Sequence, residues 1–287
     1  MVKTNKLLRV SIVIPVYNEA DHITACLEAI SRQTVAPLEV IVVDNNSSDG
    51  TAAIAQRYDF VQLLHQPRQG VVHARDMGFN AARGAIIGRI DADTVMTDNW
   101  VETLQTIFTD DAIGAVSGSA RYHDMGLARI INRLDLWMRR YLAWALGREV
   151  AMQGANMAIR RSVWASIRQG LCRTAGMHED FDVSIHANEY GYRVIFDESM
   201  IVALGGRQLE ACFKDFVAYC MLSPRTYAIH GLKSHKRMYP MVALAVLGYL
   251  PLTMLHRGFD TATRRFSWTR LMQAGNPPRV NPGTFVE

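Results

Sequence analysis

The chain has 287 residues, 49% apolar and 20% charged, with 20 Gly and 9 Pro. That is too apolar and too weakly charged for a disordered tail, excludes collagen-like and low-complexity classes, and leaves ample core to fold without staples. The net charge is +4, but ten Lys/Arg against three acids between 207 and 270 give that stretch +7 and the remainder −3, which points to an anionic partner surface, phospholipid or nucleic acid.

Val10 to Ile14 is a β-branched apolar run closed by Pro15 and is predicted as a buried strand. Ile23, Leu27 and Ile30 recur at helical spacing over 20–33. Leu38 to Val43 is again strand-like, and Asp49-Gly50 opens a second helical stretch. Phe60 to Leu64, a helix near 70–82, and Ala85 to Ile90 repeat the alternation. Strands apolar on both faces and separated by helices imply a mostly parallel sheet flanked by helices, an α/β fold. Ligands of such sheets sit beyond the carboxyl ends of the strands.

All three of those ends carry polar clusters: Pro15-Val-Tyr-Asn-Glu19 after Ile14, Asp44 to Gly50 after Val43, and Asp91-Ala-Asp93 after Ile90. Ordinary turn chemistry suffices for Asn45 to Gly50 taken alone. It does not require two acids spaced by one small residue, so Asp91 and Asp93 are read as holding a divalent cation, Mn²⁺ or Mg²⁺, on a diphosphate. Asp44 occupies the place where nucleotide-binding sheets put an acid that reads ribose or base. Pro15 to Glu19 stands where a dehydrogenase would need Gly-x-Gly-x-x-Gly, and no Walker A loop is present.

The chain resembles family 2 glycosyltransferases of the GT-A fold. The likeness rests on Ser11 to Glu19, Glu39 to Thr51, Gly70 to Gly84 with Ala74-Arg75 and Gly78, Asp91-Ala-Asp93, Gly154 to Arg161, and His178-Glu-Asp180 followed by Gly191-Tyr-Arg-Val194. The resemblance implies a donor site formed by Pro15, Tyr17, Glu19, Asp44, Asn46, Arg75, Asp91, Ala92 and Asp93. It makes Asp93 and Asp91 the metal residues, places Gly154, Asn156 and Glu179 by the sugar or acceptor, and makes Asp180 the catalytic base. A helix N-terminus favouring acids accounts for Glu179 and Asp180 equally well, and both readings can hold. Many members carry a second Asp where this chain has Asn45, which leaves the base and donor preference open. The Gln-x-x-Arg-Trp motif of processive synthases is missing, so one sugar per acceptor is expected.

Residues 127–150 place Ile130, Leu134, Trp137, Tyr141 and Trp144 at helical spacing among arginines, a helix for the core or for a membrane interface. Met238 to Leu255 is an uncharged run of eighteen residues, near the minimum for a membrane span. Pro240, Gly248 and Pro251 argue for a pair of short interfacial or re-entrant helices, or a helical cap, instead of one straight helix. His230 and His235 are candidates for a third metal ligand. The basic tail lacks a stacking platform, so no nucleic acid is expected. Cys26, Cys172, Cys212 and Cys220 lie far apart without a Cys-x-x-Cys pair, which argues against a zinc module and a disulfide framework and fits a reducing compartment. Val10 to Val16 is too short for a signal peptide and polar residues follow it.

The expectation is therefore a catalytic domain over 1–206 and a basic helical extension over 207–287. Its activity would be metal-dependent, inverting transfer of one sugar, from a UDP-sugar by preference, to a hydroxyl or phosphate acceptor that is lipid-linked or a glycan. The location expected is cytoplasmic, peripheral to the inner face of a membrane. The alternatives are a non-catalytic nucleotide-sugar-binding module, a polyprenyl-phosphate glycosyltransferase, or a nucleotidyltransferase, which would need a Gly-rich basic loop after the first strand.

Overall fold

A computed structural model describes residues 8–122, 127–147, 150–174, 176–260, 263 and 265–272. Arg148, Glu149 and Arg264, and the side chains of Arg207 and Arg270, which the sequence reading included, lie outside the described residues. Within them, eight strands form one sheet: β1 (Val10–Val16), β2 (Glu39–Asp44), β3 (Val61–His65), β4 (Ile86–Ile90), β5 (Val95–Met96), β6 (Ile113–Tyr122), β7 (Asn156–Arg160) and β8 (Arg193–Leu204). Their order is β3-β2-β1-β4-β7-β6-β8-β5. The β3-β2-β1-β4 half is parallel throughout. Strand β7 runs antiparallel to β4 and β6, β8 is parallel to β6, and β5 closes the edge antiparallel to β8.

The α-helices among the described residues are α1 (Ile23–Ser31), α2 (Thr51–Ala55), α3 (Val71–Ala81), α4 (Trp100–Ile107), α5 (Ala128–Leu146), α6 (Arg161–Ile167), α7 (Glu179–Glu189), α8 (Phe213–Ile229), α9 (Tyr239–Gly258) and α10 (Trp268–Met272). Alternate residues of the strands feed two cores, as the two-residue period requires. Ile12, Ile14, Val40 and Val42 meet Ile23, Leu27, Trp100 and Leu104 on one face. Val13, Ile41, Val43 and Ile87 meet Phe79, Trp164, Ile167 and Val183 on the other. Helix α3 presses so close that a Cβ on Gly78 would lie 2.3 Å from Val13 Cγ1.

Two expectations about proline change. Strand β1 runs through Pro15 to Val16; the β4 pairing has already ended at Val13↔Arg89, so Pro15 forfeits no ladder bond on that side. Residues 239–258 form one continuous helix, not two short ones. Pro240 sits in the first turn, where its missing N–H has no intrahelical partner to lose. Pro251 lies on the exposed side, where water can take the carbonyl its ring displaces. Helix α9 packs Tyr249 and Leu252 against Phe216 of α8 and Ile131 of α5, while Tyr249 Oη donates to Ala211 O at 2.7 Å.

Candidate active site

Strand register gathers the polar ends at one edge. Val16 pairs with Asp44, Val13 with Arg89, and Ile90 with Asn156 of the oppositely directed β7. The segments leaving β1, β2 and β4 and the segment entering β7 therefore converge. Hydrogen bonds lace the first two loops together: Ser48 N–H donates to Asn18 Oδ1 at 2.8 Å, Asn18 N–H to Ser47 Oγ at 3.0 Å, and Glu19 N–H to Thr51 Oγ1 at 2.8 Å. Asn18 and Asn46 hold left-handed backbones, with φ of 52° and 68°, which Asn tolerates better than most residues.

Asp44 is buried; its Oδ1 accepts Ser47 N–H at 3.2 Å and its Oδ2 lies 3.4 Å from His65 Nδ1. Pro15 and Tyr17 are half-buried and Asn46 is exposed. Glu19 is buried, with Oε2 3.2 Å from His22 Nδ1. Asp91 and Asp93 are half-buried, with Ala92 buried between them.

Helix α7 brings the second half of the site. Asp180 Oδ2 accepts Gly154 N–H at 2.7 Å and its Oδ1 accepts Phe181 N–H at 2.9 Å, so two backbone dipoles fix the carboxylate at the helix N-terminus. Beside it, Glu179 bridges two buried guanidiniums, one oxygen taking Arg89 Nη1 and the other Arg75 Nη1. Arg75 also donates through Nη1 to the Glu179 carbonyl at 2.9 Å and through Nη2 to Asp76 Oδ1 at 2.8 Å. Arg89 Nη2 reaches Asp91 Oδ1 at 3.4 Å. One guanidinium thus connects the acid pair on the β4 side to the acid pair on α7.

These surroundings separate the carboxylates electrically. Burial, then the adjacent Glu179 charge, pushes Asp180 up to about 7 in spite of Arg89 and the two backbone N–H groups. Desolvation, with Asp93 and Glu179 adding repulsion, raises Asp91 to about 6 against the pull of Arg89. Glu179 goes the other way: burial opposes its charge, but Arg89 and Arg75 together hold it below the usual carboxylate range. Tyr219 of α8 belongs to the same neighbourhood, since burial and then the charges of Asp180 and Asp91 raise its phenol above its ordinary value.

Several residues carried over by resemblance are placed differently from expectation. Arg75 is fully buried and committed to Glu179 and Asp76, so it supports the site from beneath. Glu179 is likewise consumed by the two arginines. Asn156 is buried within the sheet: Nδ2 donates to Ser119 O and Met200 O at 2.9 and 2.8 Å, and Oδ1 accepts Trp100 Nε1–H at 2.9 Å, so both amide N–H bonds are committed to the sheet. His230 joins Asp182 and not Asp93, and His235 Nδ1 lies 2.7 Å from Leu232 O. Asn45 turns out to be a latch. Its amide donates to Gln66 O and Arg68 O at 3.0 and 2.7 Å and its oxygen accepts Gly70 N–H at 2.7 Å. Arg89 was missed, although an arginine inside Ile-Ile-Gly-Arg-Ile is a signal in itself, because a charge in a buried strand needs a partner.

Comparison with known proteins places this geometry. Residues 11–168 match the family described as Glycosyl transferase family 2. Glycosyltransferase AglE of Haloferax volcanii is 30% identical over 167 residues, covering 56% of this chain and 55% of that protein. The probable glycosyltransferase YdaM of Bacillus subtilis is 30% identical over 208 residues, 67% of this chain and 49% of its own length. The chain therefore spans about half the length of these relatives. Among solved structures, the mannosyltransferase PcManGT from Pyrobaculum calidifontis, in complex with GDP-Man and Mn²⁺, superposes with a TM-score of 0.63 at 22% identity, covering 92% of this chain and 77% of that one. S. aureus TarS 1-349 in complex with UDP gives 0.58 at 13%, covering 77% and 65%. The curled, mostly parallel sheet is that of the GT-A fold. With more than half of its length matching the family and the acids gathered at one sheet edge, the chain belongs to glycosyltransferase family 2.

Proposed function

We propose that the chain transfers a single sugar, with inversion, from a nucleotide diphosphosugar, UDP-linked by preference, to the hydroxyl of a membrane-proximal acceptor. In this reading residues 1–206 are the catalytic domain and 207–287 an extension toward the membrane. One observation carries the chemistry. Asp180 is held by Gly154 N–H and Phe181 N–H beside the guanidinium that also meets Asp91. A carboxylate raised to about 7 by burial and by Glu179 is poised to take a proton near neutrality.

The acceptor hydroxyl gives its proton to Asp180 as its oxygen bonds to the anomeric carbon, and the bond to the diphosphate breaks with its electron pair leaving on the diphosphate. Attack from the face opposite the leaving group inverts the centre, so no carboxylate nucleophile is needed. Asp44, level with the end of β1, would receive the base or ribose of the donor. Asp91 and Asp93, half-buried hard carboxylate donors, fit Mn²⁺ or Mg²⁺ shared with a diphosphate. Such a cation, when bound, would neutralise the leaving group.

The acceptor reading rests on an apolar and basic surface. Ile130, Leu134, Trp137 and Trp144 line one exposed side of α5, and Leu244, Leu247, Leu250 and Met254 one exposed side of α9. The arginines Arg129, Arg133 and Arg140 and the basic residues Lys233, Lys236 and Arg237 are exposed around them. Residues Lys233–Gly258 are long and apolar enough to cross a membrane, and 17% of their apolar window is buried. Such faces suit the interface of an anionic bilayer.

The test is a donor panel of UDP-, GDP- and dTDP-sugars with Mn²⁺, assayed for released nucleotide with polyprenyl and glycan acceptors, comparing wild type with Asp93→Asn and Asp180→Asn. Normal turnover by both variants would overturn the site assignment. Release that depends on Asp93 but not on Asp180 would favour a phosphate acceptor, which needs no base.

A further inference from the structure

Helix α7 carries a second polar centre that sugar transfer does not use. Asp182 is fully buried. Its Oδ2 accepts Cys172 N–H at 3.0 Å, and its Oδ1 lies 2.9 Å from His230 Nε2 and 3.4 Å from His186 Nε2. Cys172 Sγ stands 4.0 Å from each of the same two nitrogens. The four ligand atoms all fall within 4.8 Å of one another. Donors about 2.0–2.3 Å from a tetrahedral zinc stand roughly 3.3–3.8 Å apart, so the cluster is close to that shape already.

The ring orientations suit the same centre. His186 Nδ1 lies 3.0 Å from Glu189 Oε2, a contact that needs a proton on Nδ1. In a neutral ring the lone pair is then on Nε2, and it faces the buried Asp182 carboxylate. A cation therefore sits between them, either a second proton on the ring or a metal ion. A carboxylate on the other ring nitrogen is also how metal-binding histidines are oriented.

We propose that Cys172, Asp182, His186 and His230 form a tetrahedral site for one divalent metal, Zn²⁺ by the softness of the set, which fastens α8 to α7. Two imidazoles and a thiolate favour zinc over magnesium or manganese. Binding converts the Cys172 thiol to a thiolate and releases its proton to solvent. The ligands come from three segments: the loop after α6, two positions one turn apart on α7, and the end of α8. Thr226, one turn before His230, accepts His178 N–H through Oγ1 at 2.9 Å, so the cross-link holds the helix that carries Tyr219 against the turn that carries Asp180.

The full chain is expressed with added zinc, passed over a chelating resin and analysed for metal. One zinc per chain is expected to survive this in wild type and in Asp93→Asn, and to be lost in the Cys172→Ser/His230→Gln double variant. Metal-stripped wild type titrated with Co²⁺ should show a thiolate charge-transfer band with the intense visible bands of tetrahedral cobalt, and added Zn²⁺ should raise its Tm. A folded double variant that keeps its zinc, or a wild type with neither retained zinc nor the charge-transfer band, overturns the proposal. If the double variant does not fold, the wild-type cobalt spectrum decides. None of these readouts depends on donor or acceptor.

Discussion

The guanidinium of Arg89 occupies the space where a side chain on Gly154 would begin: a Cβ there would lie 2.6 Å from Arg89 Cζ. Because Gly154 also donates its N–H to Asp180, any shift is passed to the proposed base. Gly154→Ala should lower kcat by about ten- to a hundredfold, since a displacement near 1 Å at a reacting group costs that much. Steady-state kinetics, with donor binding followed by thermal shift, measure it.

Asp180 must lose its proton before it can accept one, and burial and Glu179 raise it to about 7. kcat/KM should therefore rise with pH up to about 7 and fall about tenfold per unit below it. Asp180→Asn should lower kcat by about 10²- to 10⁴-fold and erase that limb, leaving donor binding intact. A pH–rate profile of both proteins is the check.

Removing Arg89 leaves Glu179 and Asp91 facing each other without the charge between them. Arg89→Met should destabilise the fold by about 3–5 kcal/mol, the usual cost of breaking a buried pair from one side. Urea unfolding reads this directly, and an unchanged midpoint would contradict the bridge.

Asn45→Asp puts a carboxylate in place of the latch amide. Here it would turn a donor toward two carbonyls, Gln66 O and Arg68 O, into an acceptor. A loss of about 1–3 kcal/mol is expected from the unsatisfied groups, with faster amide exchange across 66–70.

Trp137 and Trp144 are 56% and 77% exposed, so replacing both with Ser should leave Tm within a degree or two. Co-sedimentation with anionic vesicles should drop at least tenfold. Equal sedimentation of variant and wild type would remove α5 from the membrane surface.

Much of the parallel half was legible because β1, β2 and β4 are apolar on both faces and end in polar clusters at one edge. The antiparallel half was not. Strand β6 buries Gly114, Ser117, Gly118 and Ser119, small residues that give no apolar run, and only the chain's return brings β7 beside β4. The site was readable as a set of acids but not as a network. Glu179 meets Arg75 and Arg89 across 104 and 90 residues, a separation no local spacing encodes. The same holds for Cys172 and His230, 58 residues apart, where only the four-residue step from Asp182 to His186 hinted at a shared face.

The parallel half also arises first on the ribosome. Strands β1 to β4 are complete by Ile90, whereas Asp180 requires β7 to pair with β4 and α7 to follow it. A nascent chain can thus assemble its parallel half well before Asp180 exists. In a half-made chain the carboxylate of Asp180 and the Gly154 N–H that holds it are both still to come, so this network closes late in synthesis.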